Sequence, residues 1–437
     1  MDGAGGTEQV ETVIIGGGQA GLSVGYHLAR RDRRFLLLDA NPRIGDPWRA
    51  RWDSLRLFTP ARYDGLPGWP FPAPGWSFPS KDALADYLEA YAARFALPVR
   101  TGARVDRLAR VGDRYVVTAG EDRLVAEQVV VATGACQRPR IPGFAADLDP
   151  GILQLHSSQY RHPSQLGEGG VLVVGAANSG AEIALEAART HPTWLSGRHP
   201  GQQPFRLEGW SGRLLIPVVT FLATHVLTVK TPMGRAVRRR LQLEGGRVAR
   251  GLPLARVRPK DLTAAGIQRV PRTTGARGGR PLLADGRVLE VANVVWCTGF
   301  VPDFAWVDLP VFAEGGGLVH DRGVVGSEPG LYFVGLVFQS GLASSLVGGV
   351  GRDANHIAEQ IASREPNRRP TEHVVAGARR QEPAGAGVLR GLVRPVMAWR
   401  RRGRGPHVAD PLLSPDPERA SARATLAYYN QVGDPSL

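Results

Sequence analysis

The chain opens on a short continuous apolar run, Val13-Ile14-Ile15, that passes through Gly16, Gly17 and Gly18 into a stretch with helical periodicity. A second apolar run, Phe35-Leu36-Leu37-Leu38, stops at Asp39. This pattern predicts strand, tight turn, helix over 23–31 and strand. The same order returns in mid-chain, where Val171-Leu172-Val173-Val174 leads through Gly175-Ala176-Ala177-Asn178-Ser179-Gly180 into a helix predicted over 181–189. Each copy is followed by a hairpin signal and a buried strand that ends in a small-residue turn. The first such strand is Val129-Val130-Val131-Ala132-Thr133-Gly134 and the second is Val294-Val295-Trp296-Cys297-Thr298-Gly299.

The intervening stretches fit the same plan. Ser80 caps a helix predicted to reach 97, and runs at 105–108, 115–118 and 124–131 read as a small antiparallel meander. Arg138-Pro139-Arg140-Ile141-Pro142-Gly143 is an extended linker. Residues 282–289 turn at Asp285-Gly286, 330–335 read as a strand, and a last helix is predicted over 348–363. Residues 214–229 are apolar but shorter than the roughly 20 residues a spanning helix needs, and Pro217, Thr220, Thr224 and His225 interrupt them. We read them as a buried helix or lid, with an interfacial patch as the alternative.

The glycine turns carry the chemistry. Gly16 permits the turn, Gly18 lets backbone N–H groups approach a pyrophosphate, and Gly21 lets the helix pack on the strand, with Gln19 and Ala20 between them. Asp39 is placed to accept the ribose hydroxyls. In the second copy Gly175 and Gly180 keep their places and Ala177 stands for the middle glycine, followed by Asn178 and Ser179. No acid ends the next strand; Ser196 and Arg198 stand there instead, and a cation at that point suits a 2′-phosphate, so NADPH is expected rather than NADH. A solvated arginine is the alternative reading of Arg198. Two different dinucleotides in one chain are most economically FAD and its nicotinamide reductant.

Further cofactor-binding candidates are Trp48 and Arg49, in an aromatic, arginine-rich loop placed to run along the flavin, with Val105, Thr133, Gly134, Thr298, Gly299 and Gly335. The loop's tryptophans read alternatively as core anchors. The expected fold is α/β, two Rossmann-type dinucleotide-binding domains of glutathione-reductase-like form with the second inserted in the first. Residues 9–148 and 293–364 form the FAD-binding domain, 149–292 the NADPH-binding domain, and 365–437 a basic, partly disordered extension.

Composition narrows the partners. The formal charge of the 437 residues is +14, yet 51 of the 54 basic residues are arginine, alongside 55 glycines and 34 prolines. That is the signature of a GC-rich genome rather than of nucleic-acid contact. Cys136 and Cys297 are the only cysteines, which excludes a C-x-x-C dithiol, a Cys-rich zinc site and a disulfide framework. No triad, paired carboxylates or metal cluster is visible, and no catalytic residue is assigned. The first eleven residues lack the features of a signal peptide, so a cytoplasmic protein is expected. Residues 366–437 hold twelve arginines against six acids; a disordered or loosely docked tail is expected, with membrane contact through 390–404 the lesser alternative. The oligomeric state is open.

From about residue 10 to 363 the order of these features resembles the bacterial flavin-containing monooxygenases, relatives of the plant YUCCA enzymes and, more distantly, of Baeyer–Villiger monooxygenases. The resemblance rests on the two glycine motifs, Trp48-Arg49, the run Trp52-Asp53-Ser54-Leu55-Arg56, both Thr-Gly turns and the Gly335 segment. It implies FAD at the first site, NADPH at the second, a C4a-(hydro)peroxyflavin, and transfer of one oxygen atom from O2 to a small organic substrate. The chain departs from the family at two places. Of the linker signature only His156 and Tyr160 remain, with Pro150 and Ile152 at the Phe and Gly positions, and Phe58 stands where many members carry an active-site asparagine. An NADPH-dependent flavoprotein reductase without oxygen insertion therefore stays open, as does a flavin-binding regulatory module.

Overall fold

A computed structural model describes residues 7–240, 243–244, 247–248 and 253–364. The first sheet runs in the order Val99–Arg100, Phe35–Leu38, Thr7–Ile15, Asp122–Val131, Arg114–Ala119, Arg107–Val111, and Leu331–Phe333 pairs with the far end of Asp122–Val131. The glycine-turn strand Thr7–Ile15 lies parallel to both its neighbours. Its alternation sorts side chains onto two faces. Ile14, Leu37, Val130 and Tyr332 enter one core with the helices Gln19–Ala29 and Val350–Ser363. Val13, Ile15, Leu38, Val131 and Phe333 enter the other, against the meander. A parallel strand covered on both faces must be apolar at consecutive positions, and that is why Val13-Ile14-Ile15 carries no polar alternation.

The second sheet is parallel throughout, in the order Gln268–Val270, Thr193–Ser196, Val171–Val174, Asn293–Trp296, Leu153–His156. Asn293–Trp296 thus belongs to the second domain, and the boundary expected at 292/293 moves beyond Gly299. The return passes through Phe300–Val301, which pairs antiparallel with Arg138–Pro139. Outgoing and returning linkers form one two-stranded ribbon.

Both glycine-turn helices begin earlier than the apolar periodicity suggests, at Gln19 and Asn178. Their first turns direct N–H groups outward, so no apolar residue marks the start. Helix Lys81–Arg94 is capped as expected, with the Ser80 hydroxyl accepting from the Ala83 N–H at 3.1 Å. The meander strands are Arg107–Val111, Arg114–Ala119 and Asp122–Val131, so Val105 lies in extended chain ahead of the first. At Asp285-Gly286 the chain does turn, Leu283 N–H donating to the Arg287 carbonyl, but the longer ladder pairs Thr273–Arg277 with Arg280–Leu283.

The apolar stretch expected to be a buried helix or lid is buried in part, through Ile216, Ala223, Leu227 and Thr228. Helix Trp210–Phe221 buries Gly212 and Ile216, packs Leu215 and Val219 against the same cluster, and continues into a wider turn at Leu222–Val226. Trp210, Leu214 and Phe221 face solvent. Residues 365–437 lie outside the described part, as does the expectation of a disordered tail.

Candidate active site

The two glycine turns are built alike. Gly16 and Gly175 have φ of +113° and +112°, a left-handed conformation that only glycine takes without strain. A side chain at Gly16 would meet the Ala132 carbonyl, and one at Gly175 the Cys297 carbonyl. Gly21 lies against the Gly16 carbonyl oxygen, and Gly180 against that of Gly175, so neither has room for a Cβ. The middle position is different. Gly18 and Ala177 share one backbone conformation, φ −79° in both with ψ −174° and −172°, open to any residue. A Cβ at Gly18 would meet nothing within 4 Å, and the same holds at Gly134 and Gly299. This open space lies where a dinucleotide needs it, and backbone N–H groups at a helix start suit its pyrophosphate.

Asp39 is buried beside the first turn. Its Oδ2 accepts from the Gly17 N–H at 2.6 Å and its Oδ1 from the Asn41 backbone and side chain, both at 2.8 Å. These bonds hold the carboxylate in place at the strand end. The Ala103 N–H returns to the Asp39 carbonyl at 2.8 Å, which places the Val105 segment alongside. Gly335, at φ +85°, comes over Ala20 at the start of the first helix. The Ser179 side chain at the start of the second helix makes no hydrogen bond among the described residues.

Other expected residues have different neighbours. Arg49 turns away into a carboxylate cluster, donating to Asp86 at 2.8 Å, Glu89 at 2.9 Å and Asp46 at 3.1 Å. Trp48 packs against the cores of both domains and Trp52 is buried in that of the second. The loop therefore ties the two domains together, which is the core-anchor reading of its tryptophans. Ser196 cannot assist a 2′-phosphate: it is fully buried and its hydroxyl is taken up by Thr273 and the Pro271 carbonyl. Asn178 spends its amide on the segment 253–255, its Oδ1 accepting from the Ala255 N–H at 2.8 Å and its Nδ2 donating to the Pro253 carbonyl at 3.2 Å. Arg198 is exposed and forms no ion pair among the described residues. Arg269, one strand over, donates to the Gly197 carbonyl at 2.8 Å and adds a second cation at this turn. No motif marks Arg269; only the pairing of Thr193–Ser196 with Gln268–Val270 brings it here.

The two Thr-Gly turns are stitched together. Gln137 donates to Thr133 Oγ1 and the Gly134 carbonyl, both at 2.7 Å, while its own oxygen accepts from the Asp303 N–H. The Arg140 N–H and His156 Nε2 both bond the Gly299 carbonyl, and Thr298 bonds the Arg140 carbonyl. His156 is buried, and burial lowers its pKa below the usual histidine value.

Two buried carboxyl groups were not evident in the sequence. Asp64 is fully buried behind Gly348, its Oδ1 bonded to Thr59 and its Oδ2 without a partner, and burial pushes its pKa up to about 7. An acid between Pro60 and Leu66 in an otherwise aromatic and apolar stretch is the only sequence signal. Glu182 is likewise raised to about 7 by burial, against the pull of Arg256. Arg256 joins the domains: it donates to the Leu57 carbonyl at 2.9 Å, Glu208 at 3.1 Å and Glu182 at 3.2 Å, and lies over the rings of Phe58 and Phe78. Beside it is a cavity of about 470 Å³ lined by Arg56, Trp76, Phe78, Leu207, Glu208 and Arg213.

Residues 13–199 match the pyridine nucleotide-disulphide oxidoreductase family. A CzcO-like oxidoreductase of Geobacillus kaustophilus is 39% identical over 355 residues, 80% of this chain and 98% of the relative. A probable indole-3-pyruvate monooxygenase of Arabidopsis thaliana, YUCCA3, is 28% identical over 84% of this chain and 90% of its own. The solved flavin-containing monooxygenase from Stenotrophomonas maltophilia superposes with a TM-score of 0.62 at 28% identity, covering 81% of this chain and 98% of that one. The chain belongs to the CzcO-like oxidoreductases of the flavin-containing monooxygenase family.

Proposed function

We propose that this enzyme uses NADPH to reduce FAD and transfers one atom of O2, activated at the flavin C4a position, to a small organic substrate. The observation that supports the reading is the bonded linker beside the two Thr-Gly turns, where Gln137 ties the Thr133-Gly134 turn to Asp303 and the Arg140 N–H bonds the Gly299 carbonyl. A bound flavin supplies the redox chemistry. The chain's own part is to hold the two dinucleotides: Gly16, Gly18, Gly21 and Asp39 for FAD, and Gly175, Ala177, Gly180 and Ser179 for NADPH, with Arg198 and Arg269 for the 2′-phosphate.

The lining of the cavity beside Arg256 supports one class of substrate. Arg56 and Arg213 form no ion pair among the described residues, and Trp76, Phe78 and Leu207 offer apolar walls. An organic acid with an apolar body suits that lining. Indole-3-pyruvate, the compound in the YUCCA relative's name, is of this class. The test is NADPH oxidation by the FAD-loaded enzyme under 18O2 with a panel of organic acids and matched neutral analogues. Label in a product of an acid supports the reading. NADPH oxidation that yields only hydrogen peroxide across the panel favours the reductase, which Phe58 at the asparagine position keeps in view.

A further inference from the structure

Helix Trp210–Phe221 is apolar on two sides. Its inner side buries Gly212 and Ile216, while Trp210, Leu214 and Phe221 retain 81%, 64% and 57% of their surface. At 100° per residue these three fall within about 40° of one another around the axis, forming a single ridge. Isolated exposed apolar residues are ordinary, but an aligned Trp, Leu and Phe on one helix are not.

The charge of the neighbouring chain indicates what meets the ridge. From Gly209 to Arg240 there is no aspartate or glutamate. Lys230, Arg235, Arg238 and Arg239 are exposed, and none forms an ion pair among the described residues. Met233, at the start of helix Pro232–Arg240, is exposed as well. A two-fold dimer through this surface would set the cations of one copy against those of the other. The chain's own residues 366–437, with twelve arginines against six acids, offer no better complement. Anionic lipid does: headgroups attract the cations while Trp, Leu and Phe enter the boundary of the acyl chains.

We propose that the Trp210–Phe221 ridge and the cations that follow it in the chain dock this enzyme on anionic membrane surfaces, with the helix lying in the interface. The contact is peripheral, since no helix among the described residues is long and apolar enough to cross a membrane. The ridge follows Leu207 and Glu208 of the cavity wall, so docking would place that cavity near the lipid.

The test uses the full-length FAD-loaded protein and vesicles of phosphatidylglycerol with phosphatidylcholine, or of phosphatidylcholine alone. Co-sedimentation should favour the anionic vesicles and fall with salt. The Trp210→Gln/Leu214→Gln/Phe221→Gln variant should bind about tenfold more weakly while keeping its flavin. Should that variant lose flavin, brominated lipid provides the reading: it should quench more tryptophan emission in the parent than in Trp210→Gln. Equal binding by parent and triple variant assigns docking to another segment and overturns the proposal. So does a parent that ignores anionic vesicles, or a parent dimer that the triple variant converts to monomer without vesicle binding.

Discussion

Arg256 of the second domain donates its Nη2 hydrogen to the Leu57 carbonyl of the first at 2.9 Å, and its guanidinium lies over Phe58, the next residue. The bond fixes the backbone of the loop that carries Phe58 against the nicotinamide-binding domain. Arg256→Met should leave the visible spectrum of bound FAD unchanged but slow its reduction by NADPH in stopped flow, because the relative placement of the domains is lost. It also leaves Glu182 buried without its cation. At pH 8 that should cost about 1 kcal/mol more stability than at pH 5, where Glu182 is already neutral. Equal losses at both pH values would show that Glu182 does not depend on Arg256.

Asp64 gives a second pH-dependent effect. Its carboxyl is raised from the ordinary 3.8 to about 7 by burial, so the folded state holds a proton that the unfolded chain releases. Its contribution to stability is therefore complete below about pH 4 and lost as pH rises toward 7. Asp64→Asn should flatten the dependence of Tm on pH in that window and raise Tm relative to the parent at pH 8. A parallel curve for the variant would mean that Asp64 titrates normally.

On the proposed division of sites, Gly21 serves FAD and Gly180 serves NADPH. Neither has space for a Cβ, since each lies against the carbonyl of its own turn. Gly180→Ala should purify with FAD and lose NADPH binding at least tenfold, whereas Gly21→Ala should purify largely without flavin. Absorbance of the purified proteins and titration with NADP⁺ measure both. Flavin loss in the Gly180 variant would contradict the division of sites.

At the second turn the account favours guanidinium over hydroxyl. Arg198→Ala should raise the KM for NADPH about tenfold and leave that for NADH nearly unchanged. Ser196→Ala should not alter this preference, because its hydroxyl is buried on Thr273, but should cost about 1 kcal/mol of stability. A Ser196 variant that loses NADPH selectivity would reverse the roles.

Repetition is what made the fold legible in the sequence. Two copies of strand, glycine turn and helix gave both domains, and each glycine read as necessary at the ends of the motif has no room for a side chain. Asp39 was legible because it ends an apolar strand. Contacts between the domains were not. Arg49 has the composition of a cofactor ligand, but Asp86 and Glu89, nearly forty residues on, claim it. Arg256 and Arg269 sit in no motif and gain meaning only from the packing of distant segments. The stretch at 214–229 was legible only in part: apolar content marked Ile216 and Leu227 for burial, but could not tell which side of the helix would stay exposed at Leu214 and Phe221.

Oxygen transfer by this enzyme is tested by anaerobic reduction of the flavoprotein with NADPH, followed by rapid mixing with oxygenated buffer while the flavin spectrum is recorded. A species distinct from both oxidised and reduced flavin should form with oxygen and decay slowly while NADP⁺ stays bound. Direct return to the oxidised spectrum with stoichiometric hydrogen peroxide, unchanged when organic acids are present, would contradict it.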